Sequence, residues 1–295
     1  TEVFNLTFLI VDVNGNGDYT TIQAAIDNAT AGNTIRVWAG TYEGDILVNK
    51  TLTLIGNGTD SSIINGTGTS NTDAVKITAD WVNLSGFKIQ NSGRNGIFIE
   101  DSDHVTISGN IVTDSVLNGI YIEDSDYNTI EDNIFTENGD SAGHHAGIYV
   151  FRSDNNEIDN NTISDNDENG IELYQSESNT LSNNTIEDNW IHGIWLSGSD
   201  SNVINNNIVN ANNQCECSGR GIYLTSSDSN IISDNTIKDT PWSNTTGGDG
   251  VYLSNSDNNI IASNTIQDNG DDGIYLDNSN NNTISSNTID DNSDE

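Results

Sequence analysis

"GIELYQSESNTLSNNTIEDNWIH", residues Gly170 to His192, decides how the chain is built. With Gly170 as zero, apolar residues stand at +1 and +3 (Ile171, Leu173), at +11 (Leu181) and at +16 (Ile186). Ser176 is at +6, Asn179 at +9 and Asn184 at +14. The first apolar pair is two residues apart, and each Asn lies two before an aliphatic residue. A period of two belongs to strands, and the three-and-four spacing of a helix is absent. The stretch predicts three short strands separated by turn-forming Ser, Asn and Asp.

The pattern recurs, opening at Gly96, Gly119, Gly147, Gly170, Gly193, Gly221, Gly250 and Gly273, at intervals of 23, 28, 23, 23, 28, 29 and 23 residues. The unit is therefore 23 residues with three insertions, all after the third strand. Asn recurs at +9 as Asn128, Asn156, Asn179, Asn202, Asn230, Asn259 and Asn282. It recurs at +14 as Asn110, Asn133, Asn161, Asn184, Asn207, Asn235, Asn264 and Asn287. Three strands turned through corners make one coil, and stacked coils make an all-β parallel β-helix with neighbours about 4.8 Å apart. Parity places both Asn columns inside with the aliphatics. Buried amides must be hydrogen-bonded, so the two columns are expected to form ladders from coil to coil.

Before Gly96 the repeat is degenerate. "AVKI" at Ala74, "TIRV" at Thr34 and "TLTLIG" at Thr51 still read as strands. "TTIQAAIDNA" (Thr20–Ala29) has apolar residues at Ile22, Ala25, Ile26 and Ala29, which predicts a short helix behind a Thr cap, covering the first coil. Ahead of it Phe4, Leu6, Phe8 and Ile10 alternate as in an extended strand. This arm either pairs along its own barrel or adds to another subunit. The expected division is residues 1–33, strand arm and capping helix, and 34–295, β-helix, regular from 96.

The run "GDYTTIQAAIDNATAGNTIRVWAGTYEGDILVNKTLTLIGNG" (17–58), followed by Gly-Ile and Asn-x-Ile repeats, resembles the pectin lyase-like right-handed parallel β-helix superfamily. It looks most like the NosD-type, carbohydrate-binding and sugar-hydrolase repeat proteins of archaeal and bacterial surfaces. The resemblance covers nearly the whole chain, implies a right-handed coil, and specifies fold far more than function. The opening is also similar to the start of pectin methylesterases. The QDT, DFIFG and GRPW segments in which that family carries its Asp pair and Arg are absent, which argues against the esterase.

Charge narrows the partners. There are 45 Asp plus Glu against eight Lys plus Arg, a formal charge of −37. Such a surface repels nucleic acid and calls for cations, salt or sugars around it. The chain lacks Met, so Thr1 is not expected to be the translated start, and a removed signal peptide is the expected reason. No apolar run of spanning length predicts membrane insertion. Ten glycosylation sequons, at Asn5, Asn28, Asn49, Asn57, Asn65, Asn83, Asn160, Asn183, Asn244 and Asn281, point to an extracellular or cell-surface glycoprotein. Cys215 and Cys217, in one insertion, are expected to be oxidised, to each other or between chains.

Candidate sites lie outside the coils. The +2 residues of the first strand are Phe98, Tyr121, Tyr149, Glu172, Trp195, Tyr223, Tyr252 and Tyr275, an outward row that is aromatic except at Glu172. It could stack on sugars, form a lateral interface, or reflect same-face stacking between strands. Acidic residues recur at the first corner (Asp103, Asp126, Asp154, Asp200, Asp228, Asp257) as a solvated edge that should attract Ca²⁺. Asp12, Asn14, Asn16 and Asp18 are spaced like the front of a Ca²⁺ loop, but Gln23 stands where its bidentate Glu belongs. No acid pair or base is set apart from the repeat, so catalysis is not the expected role.

The last unit carries Ile274, Leu276, Ile284 and Ile289, with six polar or acidic residues after it and no capping helix. A head-to-tail joint between this coil and the arm residues Phe4, Leu6, Phe8 and Ile10 of another copy is the expectation. The expected function is a structural extracellular surface protein that associates with copies of itself into a filament, sheath or coat layer. The alternatives are a polysaccharide-binding or lyase-like β-helix using the aromatic face, and a monomeric adhesin.

Overall fold

The computed structural model describes residues 8–68, 71–139, 145–214, 218–241 and 247–293. Phe4, Asn5, Leu6, Asn244, Cys215 and Cys217 lie outside these residues. The chain winds as a right-handed parallel β-helix with three sheets of 10, 12 and 11 strands, formed by the first, second and third strands of each coil. Every pairing is parallel and places like on like: Ile171 beside Ile194, Leu181 beside Ile204, Ile186 beside Val209. Aliphatics from all three sheets meet in one continuous core, in which Ile171, Leu173, Leu181 and Ile186 are fully buried. The degenerate N-terminal strands join the same sheets: Val75–Ile77 in the first, Thr34–Val37 and Thr53–Gly56 in the second.

Each regular coil turns through four residues in left-handed conformation, at +5, +8, +13 and +18. In the coil from Gly170 these are Gln175, Ser178, Asn183 and Asp188, with φ of 52°, 58°, 57° and 55°. Gly, Asn and Asp adopt this region most readily. Yet Arg152, Tyr127 and Trp81 occupy equivalent corners with positive φ. Stacking against neighbouring coils imposes the conformation whatever the side chain.

Both Asn columns form the ladders expected of them. Asn184 accepts at Oδ1 from the backbone N–H of Asn161 (2.9 Å), while its Nδ2 donates to Ile158 O (2.9 Å) and Asn207 Oδ1 (3.0 Å). A third ladder runs at +19 through Asn138, Asn166, Asn189 and Asn212. The corner acids also form a ladder, in the opposite sense. Asp126 Oδ1 accepts from Asp154 N–H at 2.7 Å, Asp200 from Asp228 at 2.7 Å and Asp228 from Asp257 at 2.6 Å. A column read as a solvated edge is thus part of the coil-to-coil bonding, because each carboxylate satisfies a turn donor that the strands leave unpaired.

The N-terminal end is closed. The helix Ile22–Asn28 starts at Thr21, whose side chain accepts from Ala24 N–H. Gln23 caps the edge of the first sheet: its Oε1 accepts from Leu47 N–H (2.9 Å) and its Nε2 donates to Leu47 O (3.3 Å). Lys50 Nζ donates to the carbonyls of Ile26, Asp27 and Ala29, closing the helix C-terminus. The strand Phe8–Val11 pairs with Thr34–Val37 of its own barrel. The following turn covers its outer edge: Ile10 O accepts from Asp18 N–H and Tyr19 N–H, and Ile10 N–H donates to Asp18. Phe8 and Ile10 therefore pair along their own barrel, one of the two readings of the arm, while Phe4 and Leu6 lie outside the described residues. Pairing within the chain satisfies this backbone without the entropy loss of association.

The last coil differs. Ile274 and Leu276 are half-buried, while Ile284 and Ile289 are 46% and 45% exposed. Their counterparts one coil earlier, Ile261 and Ile266, are fully buried.

Candidate functional site

The outer face of the first sheet carries the least repetitive chemistry. Each of its regular strands is preceded by a Gly because successive coils approach too closely there for a side chain. A Cβ on Gly193 would lie 2.6 Å from the carbonyl oxygen of Gly221 and would clash with Val209. Two residues on, the aromatic row stacks ring upon ring. Centroids are 5.1 Å apart for Phe98–Tyr121 and Tyr121–Tyr149, 6.0 Å for Trp195–Tyr223, and 5.2 Å for Tyr223–Tyr252 and Tyr252–Tyr275. These rings use their faces on one another, so a sugar cannot enter between them. The row offers ring edges and hydroxyls, and its stacking follows from in-register strands.

Glu172 interrupts the row. It sits between Tyr149 and Trp195 on adjacent strands, is 1% exposed, and accepts from Asn169 Nδ2 at 2.9 Å. Burial pushes its carboxyl up to about 7, opposed by the Asn169 hydrogen bond and helped by the negative charge of Glu168. The unfolded chain releases this proton near 4.5, its ordinary value, so between 4.5 and 7 the folded state holds more protons. The contribution to stability is greatest below 4.5, falls as pH rises to about 7, and is constant above. The span is on the order of 3 kcal/mol. Glu172→Gln is expected to keep the Asn169 contact and flatten this part of the profile. Urea denaturation of both proteins at pH 4.5, 6 and 8 checks it; parallel profiles would contradict it.

A second column stands immediately before each Gly, where a repeat counted forward from the Gly does not show it. It begins as an amide ladder: Asn95 Oδ1 accepts from Asn118, and Asn118 Oδ1 from Ala146 N–H. In the later coils it becomes His192, Arg220, Asp249 and Asp272. His192 is buried, and burial together with the Arg220 charge holds it down to about 3. It is neutral, and its Nδ1 accepts from Arg220 N–H at 3.0 Å. Arg220 Nε reaches Asp249 at 3.3 Å, Nη1 donates to Ser218 O, and the guanidinium lies 4.3 Å from the Tyr252 ring centroid. Asp249 is 4% exposed; burial pushes it up to about 6 against the pull of Arg220, and Asp271 and Asp272 add to the rise. Asp249, Asp271 and Asp272 each bring one oxygen within 4.8 Å of the others. Arg220, Gly247, Asp249, Tyr252, Asp271, Asp272 and Tyr275 line a cavity of about 390 Å³. A departure from Asn in this column is the signal that could have found it.

Of the residues spaced like a Ca²⁺ loop, Asp12, Asn14 and Asn16 are bonded to one another in a turn. The Asp12 carboxylate accepts from the backbone and side-chain amides of both Asn14 and Asn16, and these bonds hold it below the usual carboxylate range. Asp18 turns to Ile10 N–H. Of the sequons, Asn28, Asn49, Asn57, Asn83, Asn160, Asn183 and Asn281 are exposed. Asn65 is half-buried; its amide donates to Glu43 and accepts from Gln90 and Asn91.

Residues 62–237 and 213–295 match the model of the right handed beta helix region. The chain belongs to the right-handed β-helix family. Among β-helices of known structure it is similar to ORF18 of Geobacillus virus E2, with a TM-score of 0.78 and 18% identity, over 91% of this chain and 58% of that one. It is similar to an alginate lyase from Paenibacillus sp. str. FPU-7, with a TM-score of 0.75 and 19% identity, over 88% and 95% of the two chains. The A-module of the mannuronan C-5 epimerase AlgE4 from Azotobacter vinelandii gives a TM-score of 0.63 at 18% identity, over 92% and 91%. At these identities the likeness is one of fold. By sequence, 94 residues are 43% identical to a cell surface glycoprotein of Methanothermus fervidus, covering 31% of this chain. The chain spans 15% of the length of that curated relative. Among the described residues, no helix of this β-helix is long and apolar enough to cross a membrane.

Proposed function

We propose that the chain is a structural rod of an extracellular surface protein, which associates with copies of itself through its last coil. The observation that carries this reading is the open end. Ile284 and Ile289 are exposed in the register that buries the corresponding residue of every earlier regular coil. Three strand edges in that register are a template for a further β-coil. The same edge fits a further coil of this polypeptide as well as a coil of another molecule. The closed N-terminal end, with Gln23 on Leu47 and the 12–19 turn over Phe8–Val11, favours tail joined to tail over an unlimited head-to-tail filament. Exposed sequons, the acidic surface and the relative named a cell surface glycoprotein support a surface location.

Light scattering and electron microscopy of the 295-residue chain, with calcium and with chelator, test this. Paired rods of twice the single length are expected. Ile284→Asp with Ile289→Asp should return them to single length. Single rods from the unaltered chain under all conditions would sink the association, and long filaments would restore the head-to-tail form. A second reading, saccharide binding on the outer face of the first sheet, is favoured by the cavity at Arg220 and Tyr252 rather than by the stacked row.

A further inference from the structure

The corner between the first and second sheets carries small polar residues in the later coils. Asn155, Ser178, Ser201, Ser229, Asn258 and Asn281 all stand there in left-handed conformation. Three earlier coils place Trp81, His104 and Tyr127 at the same corner, with φ of 59°, 58° and 57°. The left-handed region disfavours such side chains. Two of them are also largely exposed, Trp81 by 58% and Tyr127 by 54%. A structural corner gains nothing from strain and exposed aromatic surface together, and backbone strain of this kind gathers at functional sites.

The three rings form a column. The His104 ring lies 4.0 Å from that of Trp81 and 5.5 Å from that of Tyr127, centroid to centroid. His104 belongs to the coil after Trp81, so it covers the indole face toward the C-terminal end. Toward the N-terminal end the column stops. The preceding coil has Thr51 at this place, two residues before Thr53, as Trp81 is two before its partner Asn83. The Thr51 hydroxyl turns to Asp80 O, at 2.8 Å. Trp81 therefore ends the stack with one face open to solvent, unlike the rings of the row on the first sheet.

A sequon, Asn83-Leu84-Ser85, begins two residues after Trp81. Asn83 is exposed, and its Nδ2 donates to Thr53 Oγ1 at 3.4 Å, back toward the preceding coil. The nitrogen that takes a sugar and the open face of Trp81 are thus directed to the same side. Two residues before each of the other exposed sequons stands an aliphatic residue or Ser279, never an aromatic.

We infer that Asn83 carries an N-linked glycan whose first sugar packs on the open face of Trp81. The bond that forms joins Asn83 Nδ2 to the anomeric carbon of the sugar. The amide gives up one proton, and the phosphate of a lipid-linked glycosyl donor leaves with the bonding electron pair. The C–H groups of the sugar meet the negative face of the indole, and the covered area is removed from water. The glycan offsets part of the cost of exposing Trp81. The inference rests on the surface location proposed above and is independent of self-association.

The test uses the full chain secreted from a host that glycosylates Asn-x-Ser/Thr, with each glycan trimmed by endoglycosidase to one N-acetylglucosamine. Glycopeptide mapping is expected to find Asn83 occupied. Nuclear Overhauser contacts between that sugar and an indole are expected. They should vanish in Trp81→Asn, a substitution that suits the left-handed corner. The trimmed protein should melt about 2 °C or more above its Asn83→Gln variant. The same comparison made on Trp81→Asn should give no difference. Sugar at other exposed sequons but not at Asn83 would overturn the inference alone, whereas no sugar at any sequon would overturn the surface-glycoprotein reading with it. An occupied Asn83 without indole contacts, or equal stabilisation with and without Trp81, would overturn the packing. Contacts that survive Asn83→Gln and disappear in Asn49→Gln would overturn the choice of Asn83.

Discussion

Asn184→Ala is expected to destabilise the rod by about 3–6 kcal/mol, more than any exposed substitution in the same coil. The truncation removes the acceptor for the Asn161 backbone N–H and the donor to Ile158 O, both 2.9 Å away, and the link to Asn207 Oδ1. Asn161, Asn184 and Asn207 are 1% exposed, so water cannot replace the lost partners. Each stranded buried group costs about 1–3 kcal/mol. Asn184→Leu refills the volume and should be no better, because the deficit is one of hydrogen bonding. The control is the adjacent Asn183, exposed at a corner with φ of 57° and donating to Asp159. Asn183→Ala should cost about 1–2 kcal/mol, for the left-handed conformation alone. Urea unfolding measures the three variants. Hydrogen exchange should show lost protection concentrated in the coils on either side of Asn184, since a solenoid couples nearest neighbours. Equal effects at 183 and 184 would show that the ladder is not what holds the coils.

Gly193→Val is expected to have a comparable effect through the opposite fault, too much volume. The added Cβ would sit 2.6 Å from Gly221 O, which accepts from the backbone N–H of Ile194 at 3.0 Å. Either that carbonyl moves and its hydrogen bond is lost, or the strand shifts off Val209 and the core. Overpacking typically costs about 1–3 kcal/mol, and the broken buried bond adds about as much, giving roughly 4 kcal/mol. Gly198, in the same coil, has φ of 57°, and a Cβ added there would meet only Gln175 Cγ, at 3.9 Å. Gly198→Asn should therefore be tolerated within about 1 kcal/mol, since Asn accepts the left-handed region. Thermal melts of both variants check the contrast; a stable Gly193→Val protein would mean that the coils are less closely stacked than they are here.

The same two residues mark how far the sequence could be read. Asn184 declared itself by period and parity: an amide recurring at one position among inward aliphatics has to be part of a ladder. The Gly declared the start of each unit, though not why it is Gly; the reason is the neighbouring coil's carbonyl, 23 to 29 residues away in the chain. The third ladder at +19 was hidden because Ser115 and Thr240 interrupt it. The corner acids looked like solvent-facing charge, since nothing local reveals that Asp126 receives the N–H of Asp154. The arm was ambiguous for a similar reason. Alternation in Phe4, Leu6, Phe8 and Ile10 fits any parallel partner, and the pairing of Phe8–Val11 with Thr34–Val37, and the turn that blocks its far edge, are three-dimensional facts.

By itself, then, the sequence determined the coil: its three strands, its 23-residue unit, its inward aliphatics and two of its amide ladders. These follow from periodicity, which is a property of the chain alone. Tertiary structure decided which end is closed, that the aromatic row uses its faces on itself, and that Arg220, Asp249, Asp271 and Asp272 meet around one cavity. Those depend on groups in different coils, brought about 4.8 Å apart by stacking yet 22 or more residues apart along the chain for all but the last pair. Stacking turns a repeat into columns, and a column shows its chemistry only when it is read along the axis of the rod.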